Sequence, residues 1–257
     1  MTIQKRFSAS FTLILLCLGL AHTSYADQIV VPNANTNTEG NDGIATTTLI
    51  RLQQVFASSQ FAAAGGPIIV TQIAFRPDVG YASTFTFTNP NLQINLSTTS
   101  MAPDGLSTTY ASNVGADDTV VGNGAITLST ANTGPPGGPK DFDFIITFTT
   151  PFLYDPALGN LLIDFRSTGL ISPAFHDTQN TLGDSVSTVN GSLNSPIGST
   201  STFGFVTQFT FTPTTPTAVP EPTTFLLLGS GLAGIAAKVR KRNKVRMQPK
   251  SSSEIRM

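Results

Sequence analysis

Between Ser83 and Ser97 apolar and polar residues alternate: Ser83-Thr84-Phe85-Thr86-Phe87-Thr88, then Leu92-Gln93-Ile94-Asn95-Leu96-Ser97. Period two places the phenylalanines on one face of a strand and the threonines on the other. Asn89-Pro90-Asn91 interrupts the pattern with turn-forming residues, so the stretch predicts a hairpin. Pro67–Phe75 is β-branched and apolar, Phe142–Phe148 alternates through Phe144 and Ile146, and Leu161–Phe165 reads as a further strand. Phe203, Phe205, Phe209 and Phe211 predict one last strand. Over Thr47–Phe61, Leu49, Leu52 and Phe56 fit a helical spacing, while the threonines equally permit a strand. Short strands without sustained helical periodicity predict an all-β fold, an antiparallel β-sandwich for which a jelly roll is one winding.

Long loops are expected over Asn33–Ala45, Gly115–Gly124 and Asn132–Lys140. The Pro/Gly-rich break at Asn132–Pro139 marks no domain boundary, because the strands on either side look alike. Pro151–Asp164 reads as a turn at Asp155-Pro156 and Gly159-Asn160 feeding a buried strand. From Pro213 the chain turns Pro/Thr-rich, a stiff extended spacer over 213–218.

The ends follow a different pattern. Lys5 and Arg6 precede an apolar run from Phe11 to Leu20, and Ser24-Tyr25-Ala26 supplies a small-residue cleavage site before Asp27, so residues 1–26 read as a secretory signal peptide. Cys17, the sole cysteine, lies inside it; with Leu16 before it and apolar residues after it, it makes a poor lipidation site. At the other end Val219-Pro220-Glu221-Pro222 is a rigid, non-helical strip. A charge-free run starts at Thr223, and a transmembrane helix over 223–239 follows from it, short against the ~20 residues usual for a span. Lys238, Arg240, Lys241, Arg242, Lys244 and Arg246 form a basic stop over 238–246 that stays cytoplasmic by the positive-inside tendency. A polar tail, 247–257, completes the chain.

In this order, Pro-Glu-Pro, short helix and basic end, residues 219–246 resemble the sorting signal of the PEP-CTERM family of bacterial surface proteins. The polar tail beyond the arginines is a departure from that pattern. The resemblance implies recognition by an exosortase, a membrane-embedded transpeptidase-like protease, and loss of the tail during export. It further implies a Gram-negative, exopolysaccharide and biofilm setting, with transient membrane insertion followed by release to the cell surface or beyond. A permanent anchor would explain the apolar run and the charges but not the Pro-Glu-Pro.

With both ends assigned, 27–212 is one β-sandwich domain. Within 27–219 four basic residues (Arg51, Arg76, Lys140, Arg166) stand against thirteen acidic ones, 4 − 13 = −9, although the whole chain sums to −1. Such a surface argues against nucleic acid. The body has no cysteine, one histidine (His176) and one glutamate (Glu39), which rules out Cys–His chemistry and a multi-histidine zinc site. A Ser–His–Asp triad around His176 and Asp177 lacks a nucleophile elbow, and His176 reads as an ordinary surface histidine. Asp141, Asp143, Asp155 and Asp164 could pair as glycosidase carboxylates. Asp117, Asp118, Asp141 and Asp143 are weak calcium candidates, without the Asp-x-Asp-x-Asp-Gly loop. No cofactor is otherwise expected.

Gly229-x-Gly231-x-x-Gly234 matches a dinucleotide fingerprint in letters but lies in the membrane run with no strand before it. Extracellular polysaccharide is a candidate partner. The chain has no tryptophan, and its 18 phenylalanines fall mostly on core-facing strand positions, which leaves few stacking platforms for sugars. The sequence therefore predicts an exported, non-enzymatic β-sandwich, with a glycan-binding or glycan-hydrolysing domain as the alternative.

Overall fold

A computed structural model describes residues 26–46, 50–81, 83–169 and 171–214. Residues 1–25 of the signal peptide, the linker from 215, the Pro-Glu-Pro strip, the membrane run, the basic cluster and the polar tail lie outside them. Among the described residues, no helix is long and apolar enough to cross a membrane.

The described chain forms thirteen strands: β1 (Asp27–Val31), β2 (Asp42–Thr46), β3 (Ile50–Phe56), β4 (Ile68–Phe75), β5 (Phe85–Thr99), β6 (Thr119–Thr130), β7 (Phe144–Tyr154), β8 (Asn160–Ser167), β9 (Ser172–Asn180), β10 (Val186–Ser192), β11 (Ser199–Ser201), β12 (Phe203–Phe205) and β13 (Thr207–Pro213). Short 3₁₀ turns occupy Asn33–Asn35, Ser58–Ala64 and Tyr110–Ser112. A four-stranded sheet runs β1-β13-β4-β7, a six-stranded sheet β11-β10-β3-β8-β5-β6, and a small sheet β12-β9-β2. Every strand pair is antiparallel.

Alternation decides which side of each strand is covered. On β7 Phe144, Ile146, Phe148, Phe152 and Tyr154 are buried while Ile145 and Leu153 face outward. These side chains meet Ile68, Val70 and Ile73 of β4, Phe209 and Phe211 of β13, and Leu52, Phe56, Leu92, Ile94, Leu161 and Ile163 of the six-stranded sheet in one core. Two antiparallel sheets closed over a shared apolar interior make the body a β-sandwich. The packing is aromatic: Phe209 meets Phe56 at 4.9 Å and Phe61 at 5.2 Å, both edge-on.

Leu161 through Phe165 are buried without alternation, because β8 is covered on both faces. Its second face packs Leu162 with Val55, Val189, Leu106 and Tyr110 in a separate cluster. The lid is the segment after β5, where Tyr110 is seated by its hydroxyl, which donates to the Arg51 carbonyl at 3.2 Å. Gly191 and Gly198 leave room for that hydroxyl; a Cβ on Gly191 would stand 3.0 Å from it and one on Gly198 would collide with it.

Several expectations change. The hairpin over Ser83–Ser97 is one strand, β5, paired along its length with β6. Asn89 opposes Ile126 and Leu92 opposes Gly124, so the Asn-Pro-Asn segment is a bulge. Asn89 absorbs it: its carboxamide oxygen accepts the Asn91 N–H at 2.9 Å and its Nδ2 donates to Ser167 Oγ at 2.7 Å. Pro90 needs no ladder donor and stays exposed.

Where Thr47–Phe61 had helix as one option, its described part is strand from Ile50 to Phe56 and the start of a 3₁₀ turn from Ser58. The single last strand is two: β12 pairs β9 and β13 pairs β4, with the switch at Val206, whose N–H donates to the Asp177 carbonyl. The expected loops at Asn33–Ala45 and Gly115–Gly124 contain most of β2 and the start of β6. Finally β1 pairs β13, with Asp27 opposite Phe211, so the two ends of the body lie side by side in one sheet.

Candidate functional site

The ion pairs among the described residues fall in two places. The first is the outer face of the six-stranded sheet, where period two puts Arg51 and Gln53 of β3 beside Asp164 and Arg166 of β8: Arg51 opposes Arg166 and Gln53 opposes Asp164. Asp164, 2% exposed, takes Arg51 Nη2 at 2.6 Å and Arg166 Nη2 at 2.9 Å. Gln53 Nε2 donates to the same carboxylate oxygen at 3.0 Å. The Arg51 guanidinium lies 4.4 Å over the Tyr110 ring, which fixes its plane. Burial and Asp164 push the Tyr110 phenol above its usual range, with burial the larger cause and Arg51 opposing, so it stays a neutral donor. The row continues through Gln93 of β5, opposite Arg166, to exposed Asn123 of β6, opposite Gln93.

The second place is where β4 runs out. Arg76 is buried and donates through Nε to Asp177 Oδ2 at 2.6 Å and through Nη2 to the Thr38 carbonyl at 2.6 Å. Asp177 also accepts the Gly40 N–H at 2.8 Å, and a Cβ on Gly40 would run into the Thr178 carbonyl. Carboxylate oxygens of Glu39, Asp78 and Asp177 lie within 4.8 Å of one another. Burial raises the Glu39 carboxyl to about 7, helped by repulsion from Asp177. Burial likewise pushes Asp177 up, against the pull of Arg76 and the Gly40 N–H. The positive partner of this cluster is Arg76. Beyond it a groove of ≈ 490 Å³ is lined by Arg76, Phe142, Lys140, Asn37 and Gln208 among others.

His176 is a correction: it is buried, 4% exposed, and not on the surface. It sits among Phe144, Phe75 and Phe205 at 4.6, 5.8 and 5.7 Å. Its Nδ1 has no hydrogen-bond partner among the described residues, and burial lowers the imidazole to about 3, so it is neutral. Successive strand residues face opposite ways, so His176 looks into the core while Asp177 turns to Arg76, and no triad forms.

The aspartates also separate. Asp117 and Asp118 precede β6 and Asp141 and Asp143 follow it, on the order of 35 Å apart at ~3.3 Å per residue of strand. Asp117 accepts the Thr98 N–H, Asp118 the Asn95 Nδ2, Asp141 the Thr133 hydroxyl, and Asp143 the Thr130 hydroxyl and the Ala131 N–H. The carboxylates that do converge are others. Of the glycosidase set, Asp155 holds its own turn through the Ala157 N–H and Asp164 is committed to the arginines. Arg51 and Arg166 entered the sequence reading only as charges. The available signal was the polar period-two pair on strands, Arg51-x-Gln53 and Asp164-x-Arg166.

Ala26 and Asp27 lie where the described fold begins, at the start of β1, and Pro213 ends β13. An all-β body followed by a C-terminal sorting segment defines an exported protein addressed at its C-terminus. The PEP-CTERM protein-sorting motif matches residues 218–242, so the chain carries that sorting motif at its C-terminal end. That motif marks it for export and for exosortase-dependent, membrane-associated sorting to the cell surface. Comparison with curated proteins and with solved structures gives no match.

Proposed function

We propose that this is a non-enzymatic surface or extracellular-matrix protein whose tail is cut by an exosortase within the membrane, in an exopolysaccharide or biofilm setting. The observation that carries the reading is position: the sorting match begins at residue 218, and β13, the last strand of the sandwich, ends at Pro213. Only a short Pro/Thr stretch separates a finished fold from its address label, which suits cutting between the two. Two buried carboxylates of the body support a binding role over a catalytic one. Asp164 is held by two arginines and Asp177 by Arg76, so neither carboxylate is free to act as acid, base or nucleophile. The proposed partner of the released body is extracellular polysaccharide.

Intact-mass measurement on protein recovered outside the producing cells tests the processing. The expected product begins at Asp27 and lacks the basic cluster Lys238–Arg246, and Glu221→Ala abolishes that product. Recovery of a chain that keeps the cluster overturns cleavage and leaves a permanently anchored protein.

A further inference from the structure

We infer that the row Arg51–Arg166–Gln93–Asn123 across the six-stranded sheet is a binding site for a carboxylate-bearing polysaccharide. The inference rests on the surface-protein reading above and supplies the site for its partner.

Four observations carry it. Two of the body's four basic residues are directly opposed on neighbouring strands, where like charges repel unless something offsets them. Only one carboxylate, Asp164, is bonded to both, which leaves that triad one positive charge in excess. A guanidinium has five N–H donors. Here Arg51 and Arg166 each spend Nε and Nη2 on Asp164, and Nη1 of each has no protein partner among the described residues. Neutralising Asp164 does not require both, since Arg51 already binds it through two nitrogens and Gln53 adds a third donor.

The pair is also held in place. Tyr110 lies under Arg51 and is itself pinned to the Arg51 carbonyl, so the fork does not have to be ordered when a ligand arrives. Guanidinium forks match carboxylates in plane and spacing. Gln93, whose Nε2 also donates to Asn95 Oδ1 at 2.8 Å, and Asn123 extend the row with amides suited to hydroxyls, over about 14 Å for three strand spacings of ~4.8 Å. That is longer than a single small anion needs. An extended acidic peptide would dock by adding a strand at a sheet edge; β6 is such an edge, but Arg51, Arg166 and Gln93 sit on β3, β8 and β5, which are paired on both flanks, so there only side chains are on offer. The remaining acidity of the body disfavours ligands as densely charged as nucleic acid and keeps affinity modest.

The test uses the full chain in neutral detergent, titrated with polygalacturonate, monomeric galacturonate and uncharged dextran by calorimetry at low salt. The expected result is saturable binding of polygalacturonate, at least about tenfold weaker binding of the monomer, none of dextran, and weakening with added salt. Arg166→Gln leaves Asp164 with Arg51 and Gln53, keeps the thermal midpoint and loses at least about tenfold in affinity. Asn123→Asp, at an exposed position outside the Arg–Asp network, also weakens binding and guards against a fold effect in the first variant. No binding of polygalacturonate by the wild-type chain, equal binding of dextran, or unchanged affinity in both variants overturns the site. None of these outcomes bears on tail cleavage, which the mass measurement decides separately.

Discussion

Arg76 and Asp177 meet at 2.6 Å with side chains 1% and 0% exposed, joining the end of β4 to the middle of β9. The backbone repeats the link, since the Asp177 N–H donates to the Arg76 carbonyl at 3.0 Å. Removing one partner strands a buried charge, so Arg76→Ala is expected to cost about 3–5 kcal/mol. Replacing both, with Met at 76 and Leu at 177, is expected to recover most of that loss. Denaturant unfolding of the two variants and the wild type measures both numbers.

Glu39 gives the body a pH dependence of definite sign. Its carboxyl is raised from 4.5 to about 7 in the fold, chiefly by burial and then by Asp177. The folded state therefore binds more protons than the unfolded one across that window, and stability falls as pH rises through it. Glu39→Gln removes the ionisation. Its melting temperature is expected to exceed the wild type's at pH 8 and to match it near pH 4.5, and thermal melts at the two values check this.

His176 acts in the opposite direction. Burial lowers it from 6.5 to about 3, so the unfolded state takes up the proton first and stability falls as pH drops below 6.5. His176→Phe fills the same aromatic surroundings without a titratable group, next to a cavity of ≈ 20 Å³. The variant's stability between pH 6.5 and 4 is expected to decline less steeply than the wild type's, read as the slope of unfolding free energy against pH.

Phe209 is packed on Phe56 and Phe61 and is fully buried, whereas Leu158 is 76% exposed. Phe209→Ala is expected to cost about 3–5 kcal/mol, and Leu158→Ala to stay within about 0.5 kcal/mol. Chemical unfolding distinguishes the two. Equal effects would contradict the core described here.

The four aspartates nearest to a calcium pattern are divided between the two ends of β6 and are bonded within the protein. Addition of calcium or of a chelator is expected to leave the melting midpoint unchanged. A rise of several degrees with calcium would restore a metal role.

The strands that were legible were those with clean alternation and one covered face, such as Phe144–Phe148, because burial of one face writes period two into the residues. β9 was missed: Ser172–Asn180 is polar in composition, and its buried positions include His176, Asp177 and Thr178. Asp177 passes as core because Arg76 and the Gly40 N–H partner it, and His176 because it stays neutral among phenylalanines, neither of which a local pattern announces. The Asn-Pro-Asn segment misled for a related reason. A turn and a bulge use the same residues, and the choice between them depends on whether another strand lies alongside.

By itself the sequence determined the class of the protein and its address: strand periodicity, Phe-rich core positions, a charge-poor run before a basic cluster, and Pro-Glu-Pro are all properties of contiguous residues. Only the tertiary structure decided which charges meet. Arg51 stands 113 residues from Asp164 and Arg76 stands 101 from Asp177. Their pairing depends on strand order and register, which are set by the burial of whole sheet faces, by the fit of Phe209 between the sheets and by that of Tyr110 against the outer face of the six-stranded one.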